Sequence, residues 1–188
     1  MSNQKGFLSL RRLFILIFIL PLAAAIAWAG TEYTLHKTST PEFCGSCHSM
    51  KPMLNSFLLD SHAGNNHVGT RVNCTDCHLP QNNKFELLFV KIKSGTHDLW
   101  QEFVIGTDQI DWHAKRKNAF QYTYVSGCLK CHNNLKNQPV TENGSSIHLP
   151  FYEPDGQFPH CITCHQVGHN QLDKFLPPSK NTLVKKPD

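Results

Sequence analysis

The stretch CGSCHSM, Cys44 to Met50, sets two thiols around two small residues, with an imidazole next and a thioether two places on. The C-x-x-C-H pattern inside it returns three times: CTDCH from Cys74, CLKCH from Cys128 and CITCH from Cys161. These four copies absorb all eight cysteines of the 188-residue chain. A structural zinc site or a thiol redox pair needs no histidine after the second cysteine, whereas C-x-x-C-H is the attachment signature of c-type haem. With twelve histidines in the chain, four in the required place by accident is on the order of one in a hundred thousand.

The pattern suits that chemistry. Cys44 and Cys47, Cys74 and Cys77, Cys128 and Cys131, and Cys161 and Cys164 would each form two thioethers to the vinyl groups of one haem. The two-residue gap matches the vinyl spacing. The adjacent His48, His78, His132 and His165 then lie under the iron as proximal ligands. Two structural zincs or a set of disulfides are the competing readings, and both are set aside. The expected cofactors are four covalently bound haem c groups.

Haem attachment of this kind takes place outside the bacterial cytoplasm, so the chain has to be exported. Lys5, Arg11 and Arg12 precede an uncharged apolar run from Leu13 to Ala29. At 1.5 Å per residue that run is about 25 Å long, at the short end for a membrane span. The cationic flank stays inside and the remainder faces the periplasm. Ala27-Trp28-Ala29 also fits a signal-peptide cleavage site. The length of the run and the mid-run position of Pro21 favour a retained anchor. A net charge of +4 is modest and argues against nucleic acid as a partner.

The expected organisation is a cytoplasmic N-terminus (1–12), a transmembrane anchor (13–29), a polar neck (30–43), a haem domain (44–170) and a flexible basic tail (171–188). Cys44 to Cys74 is 30 residues and Cys128 to Cys161 is 33, against 54 between the pairs. This spacing reads as two two-haem units, 44–78 and 128–165, with His62 and His148 in equivalent places. KPMLNSFLLDSH starts with Pro52 at a plausible first-turn position and reads as helical towards His62. The segment from Asn83 to Phe103 is periodic, with Phe85, Leu88, Phe89, Ile92, Leu99 and Phe103 as its apolar members and Gly95 as a weak point. A further helix is expected over 109–125, and nothing reads as a strand set. The fold class is therefore mostly α and irregular: one N-terminal transmembrane helix and a compact multihaem domain built around four haems. About 150 residues cannot enclose four porphyrins and also build a large aliphatic core, so the haems supply most of the buried apolar area.

A low-spin haem needs a sixth ligand, and eight histidines lie outside the motifs. His62, His148 and His169 are the distal candidates. His36, His67 and His113 read as surface or hydrogen-bonded histidines, and His160 is too constrained beside Cys161 to reach the far side of that haem. His97 stays open. Met50 has two readings, a thioether ligand at the first iron in place of His48 or a side chain packed on porphyrin.

One span, the neck TLHKTSTPEFC, four C-x-x-C-H sites and the C-x-x-C-H-x-M form at the first site together resemble the NapC/NirT/NrfH family of membrane-anchored multihaem quinol dehydrogenases. The resemblance runs from the anchor to about His169. It implies Met50 as the ligand at haem 1, with the opposite face open beside a quinol pocket. It further implies His169 at haem 2 and His62 at haem 3; at haem 4 the ligand is His148 or a group donated by a partner. The family's quinol site has a Lys and an Asp seven residues apart, an offset that Lys91 and Asp98 match. On a helix that offset is two turns, one face, about 10 Å along the axis. A carboxylate there can accept a proton from the quinol while the lysine orients the ring; a solvated pair on an exposed face is the plain alternative.

The function this implies is oxidation of menaquinol or ubiquinol at the outer face of the inner membrane, with electrons passed to a periplasmic terminal reductase in anaerobic respiration. The partners are the quinol pool and that reductase, with a homo-oligomer or a complex with the reductase left open. A soluble tetrahaem carrier, released after Ala29, and a small-molecule reductase with an open haem are the rivals. The basic run Lys115 to Lys117 reads as a solvated face before it reads as a docking patch.

Overall fold

A computed structural model describes residues 10–107, 110–135, 142–149 and 160–176. The chain divides into two units, one ending at Ser39 and the other starting at Thr40.

The first unit is a helix, α1, over Leu10–Lys37, 28 residues with a mean hydropathy of 2.5 in its apolar window and none of that window buried. By length and composition it can cross a membrane. It is about 42 Å long, more than the hydrocarbon core of about 30 Å. A wide π turn occupies Ile15–Ile19, where the Leu20 N–H bonds to the Ile15 carbonyl. Pro21 follows two residues after the turn. A proline inside a helix has no N–H to give and crowds the preceding turn, and one wider turn absorbs that clash. The helix runs on through residues 30–37, which the sequence reads as a neck. The hydroxyls of Thr31 and Thr34 bond back to the carbonyls of Ala27 and Gly30 at 2.9 and 2.8 Å, so this polar turn stays helical.

In the second unit, short helices carry the cysteine motifs. The α2 helix (Pro41–Cys44) is capped by the Thr40 hydroxyl, which accepts from the Phe43 N–H at 3.2 Å, and has Pro41 in its first turn. Three residues of 3-10 turn (His48–Met50) lead into α3 (Lys51–Phe57). That helix ends five residues short of His62, not at it. Asn65 explains the stop, since its amide donates to the Leu58 and Asp60 carbonyls at 2.7 and 3.0 Å and turns the chain into a loop. The α4 helix (Cys74–His78) is the second motif itself, started by a reciprocal pair in which Asp76 accepts from the Asn73 N–H at 2.8 Å.

The longest helix of this unit is α5 (Lys84–Trp100), capped by Asn83 accepting from Phe85 and Glu86 and extended by a π turn over Gln101–Ile105. It passes through Gly95 without a break. In place of the single helix expected over 109–125 there are α6 (Trp112–Lys117), a 3-10 turn at Ala119–Gln121 and the start of α7 (Val125–Cys131). The α8 helix (Glu142–His148) follows. Among the described residues there is no strand, only one isolated bridge between Ala63 and Arg71.

The apolar core is small. Phe57, Leu79, Leu172 and Leu176 are its buried hydrophobic members, with Ser56 and Asp60 buried beside them. Leu172 and Leu176 stand on and after a 3-10 turn, Leu172–Lys174, that packs on α3. The packed domain thus runs to Leu176, past the boundary at 171, because those two leucines cover α3. The rest of the expected tail, 177–188, lies outside the described residues.

Candidate functional site

The second and third cysteine pairs lie on α4 and α7, and the first begins at the last residue of α2. On a helix, positions three apart share a face, so both sulfurs of a pair emerge on one side. The fourth motif opens on a 3-10 turn, Cys161–Thr163. No disulfide joins any of the eight cysteines.

The motifs lie in sequence order. The Cys44 and Cys74 sulfurs approach within hydrogen-bonding range, which with nearby Lys91 pulls the Cys44 thiol down to about 7. Cys128 and Cys161 meet in the same way, and burial above all pushes Cys128 up to about 12. Both titrations vanish once a thioether forms. Between them, α4 and α7 pack closely: the Tyr124 N–H donates to the Cys77 carbonyl at 2.9 Å and Lys130 meets Asp76 at 3.2 Å. Gly127 is buried at that crossing, where a Cβ would fall 1.9 Å from the Asp76 carbonyl oxygen.

Six of the proposed iron ligands face each other in pairs. The ring centroids of His62 and His132 are 6.2 Å apart, those of His78 and His169 are 6.1 Å, and those of His148 and His165 are 6.0 Å. Two metal–imidazole bonds of about 2 Å, plus the short reach from each nitrogen to its ring centre, span about 6 Å. Each pair therefore has room for one metal between its rings, and the residues fit the group that C-x-x-C-H implies. In three rings Nδ1 is already engaged, which leaves Nε2 for iron. His62 donates to Asp60 at 3.0 Å, His78 to the Tyr122 carbonyl at 2.6 Å and His148 to the Gly144 carbonyl at 2.7 Å. Burial, helped by repulsion from His78, holds His169 down to about 4, and the neutral ring is the form that ligates. The two cysteine-motif pairs are not copies in this respect. Of the two-haem segments, 44–78 and 128–165, His62 of the first pairs with His132 of the second, while His148 pairs with His165 of its own.

The first motif differs. Among the described residues no histidine ring is paired with His48. Its backbone N–H donates to Glu102 Oε1 at 3.0 Å, and the Ser49 hydroxyl donates to the other oxygen of the same carboxylate. Met50 closes the 3-10 turn at the foot of α3. Lys91 and Asp98 both lie on α5, two turns apart on one face. Lys91 is half-buried, and burial lowers its pKa, with Cys44 pulling the other way. The charge of Asp98 acts on Cys44 and Cys47. The α5 face that carries the Lys and the Asp is therefore turned towards the first motif. His97 touches Asp98 at 3.3 Å, with both side chains exposed.

Sequence reasoning passed over Glu102, Asp60 and Gly127. Glu102 lies 54 residues from its partner, so nothing local marks it. Asp60, two residues before His62, carried a signal in its D-x-H spacing. His160 is tied to the Thr123 carbonyl at 3.1 Å, and His113 and Arg116 both meet Asp173, at 3.8 and 2.7 Å. Lys115 lies over the Tyr122 ring, so two of the three basic residues at 115–117 have contacts within the chain.

The family model of the NapC/NirT cytochrome c family, N-terminal region, matches residues 8–174. The chain belongs to this family. Among curated relatives, the tetraheme c-type cytochrome CymA of Shewanella oneidensis is 32% identical over 158 residues, 77% of this chain and 83% of CymA. The cytochrome c-type protein TorY of Haemophilus influenzae is 34% identical over 149 residues, 73% of this chain but only 38% of TorY. The fold resembles a chain of the cytochrome c nitrite reductase NrfHA complex bound to the HQNO inhibitor, with a TM-score of 0.56, 20% identity, and coverage of 92% of this chain and 99% of that one. As a NapC/NirT cytochrome the protein carries covalent haem, transfers electrons and is anchored by its N-terminal helix.

Proposed function

We propose that this NapC/NirT cytochrome is a tetrahaem quinol dehydrogenase, with its haem domain in the periplasm and a periplasmic reductase as electron acceptor. The observation that carries the quinol reading is the α5 face, where Lys91 and Asp98 stand two turns apart and both act electrostatically on the first motif. Four haems accord with four motifs, with three facing histidine pairs and with the name of CymA. His78 and His169 would hold the second iron, His62 and His132 the third, and His148 and His165 the fourth. Met50 or His48 holds the first.

Oxidation of a quinol releases two electrons and two protons. When bound, the haems supply one-electron acceptors. The residues of this chain handle the rest. Lys91 donates a hydrogen bond to a quinol oxygen and orients the ring. Asp98 takes a hydroxyl proton at its carboxylate, with His97 beside it as the next acceptor. Glu102 holds the first-motif loop in place through His48 and Ser49. The exposed apolar side chains of α5 and its π turn, among them Phe85, Phe89, Ile92 and Phe103, suit a site that draws its substrate from lipid. An acceptor in complex with the chain accords with the reductase partner named for the NrfHA structure.

Rapid mixing of the oxidised, detergent-solubilised protein with a menaquinol analogue tests this, with Lys91→Gln and Asp98→Asn beside it and dithionite as a control for intact haems. Fast partial haem reduction in the wild type, lost in the variants while dithionite still works, is the expected result. No reduction of the wild type above a buffer blank would sink the quinol reading and leave an electron carrier.

A further inference from the structure

Three of the facing histidines have their outward nitrogen engaged, and one of the three acceptors differs in kind. His78 and His148 donate to the neutral carbonyls of Tyr122 and Gly144. His62 donates to a carboxylate, that of Asp60, at 3.0 Å. The Asp60 side chain is 3% exposed, and the same oxygen also accepts the His62 backbone N–H at 2.9 Å. The Gly168 N–H faces this carboxylate as well, one residue before His169.

Burying a carboxylate is costly even when N–H groups surround it. An asparagine oxygen could accept from the same donors without that cost, so hydrogen bonding alone gives no reason for a charge here. A carboxylate on the outer nitrogen of a metal-bound imidazole makes the ring a stronger electron donor to the metal. Stronger donation favours the oxidised metal. From this geometry we infer that Asp60 is a positioning and tuning residue for the third haem: it fixes the His62 ring and holds that haem at a lower potential than a neutral acceptor would. Through Gly168 the same carboxylate also braces the loop that presents His169, so one buried side chain secures distal ligands of two neighbouring haems. The third haem, once reduced, is then a strong donor to the fourth.

This inference rests on the assignment of His62 and His132 to one iron, and the experiment separates the two. Potentiometric titration of the fully loaded protein, followed by optical and EPR spectra, is carried out on wild type, Asp60→Asn, Asp60→Glu and His62→Ala. Haem content is checked for each. In Asp60→Asn one midpoint potential rises, with the reduction equilibrium of that haem displaced about tenfold, or about 59 mV for one electron, and the other potentials stay in place. Asp60→Glu, which keeps the charge, recovers most of the difference. If Asp60→Asn leaves all the potentials at their wild-type values, the Asp60 inference falls while the ligand assignment stands. If His62→Ala converts no haem to a high-spin form, the assignment and the inference fall together. Near-infrared magnetic circular dichroism of the wild type decides the matter without any variant. One of the three histidine-paired haems gives a charge-transfer band displaced towards the histidinate form; three identical bands overturn the inference.

Discussion

Glu102 clasps the first motif from 54 residues away, one oxygen on the His48 N–H at 3.0 Å and the other on the Ser49 hydroxyl. Both contacts are near the surface, so their loss costs about 1 kcal/mol. In a protein of this size that lowers the melting temperature by about 3 °C. Glu102→Ala is expected to show that drop together with a displaced potential at the first haem alone. An unchanged melting curve and an unchanged first-haem spectrum would rule out the clasp.

In the proposed quinol site, Lys91 would set a limit on the alkaline side. Burial disfavours its ammonium, so it loses its proton below the ordinary lysine value of about 10.4. Cys44, which pulls the other way, no longer can once it is a thioether. The rate of haem reduction by quinol should therefore fall as pH rises through that lowered pKa. Lys91→Gln should remove the alkaline limb at a low plateau, and Lys91→Arg should move it out of range. A stopped-flow pH profile that is flat for the wild type up to the lysine range contradicts this.

His148 faces His165 with the two rings almost parallel, at 10°, whereas His62 and His132 meet at 65°. The angle between axial imidazole planes governs the anisotropy of low-spin ferric haem. The EPR spectrum should hold a rhombic signal from the fourth haem beside a large-g signal from the third. His148→Ala should replace the rhombic signal with a high-spin one. Survival of that low-spin signal in the variant would show that His148 is not the ligand.

Gly127 has no room to change. A methyl group there meets the Asp76 carbonyl at 1.9 Å, and backbone on both sides cannot give way. Gly127→Ala should cost about 3 kcal/mol, a large part of the stability of an ordinary domain. It should be read as a lower yield of fully loaded protein and an earlier melt. Wild-type yield and melting would mean that α4 and α7 pack less closely.

What could be read from the chain follows the range of each interaction. Motif spacing, the apolar run and the periodicity of α5 are local; the apolar run and the α5 segment are both helical in the structure, the first continuing past Ala29 to Lys37. Asn83 at the cap and the period of Phe85, Phe89 and Ile92 outweigh Gly95, so the helix passes through it. The apolar approach to His62 predicts a helix, but Asn65 claims the carbonyls that the next turn would need. The pairing of His62 with His132 joins positions 70 apart in the chain, and the grip of Glu102 on His48 spans 54. Neither leaves a mark near either residue. Asp60 is the intermediate case, close enough to His62 to be noticed yet given its meaning only by its burial.

The thin apolar core among the described residues of the haem domain, built on Phe57, Leu79, Leu172 and Leu176, sets an order of events in the making of the protein. With so little to collapse upon, a newly made chain would stay open, its eight thiols within reach of the attachment machinery. Each haem added brings its own apolar surface, so closure follows attachment and cannot run ahead of it. A chain that lacks even one haem would remain partly open and exposed to proteases. The thin core thus acts as a checkpoint: only the completed cytochrome survives to meet its redox partners.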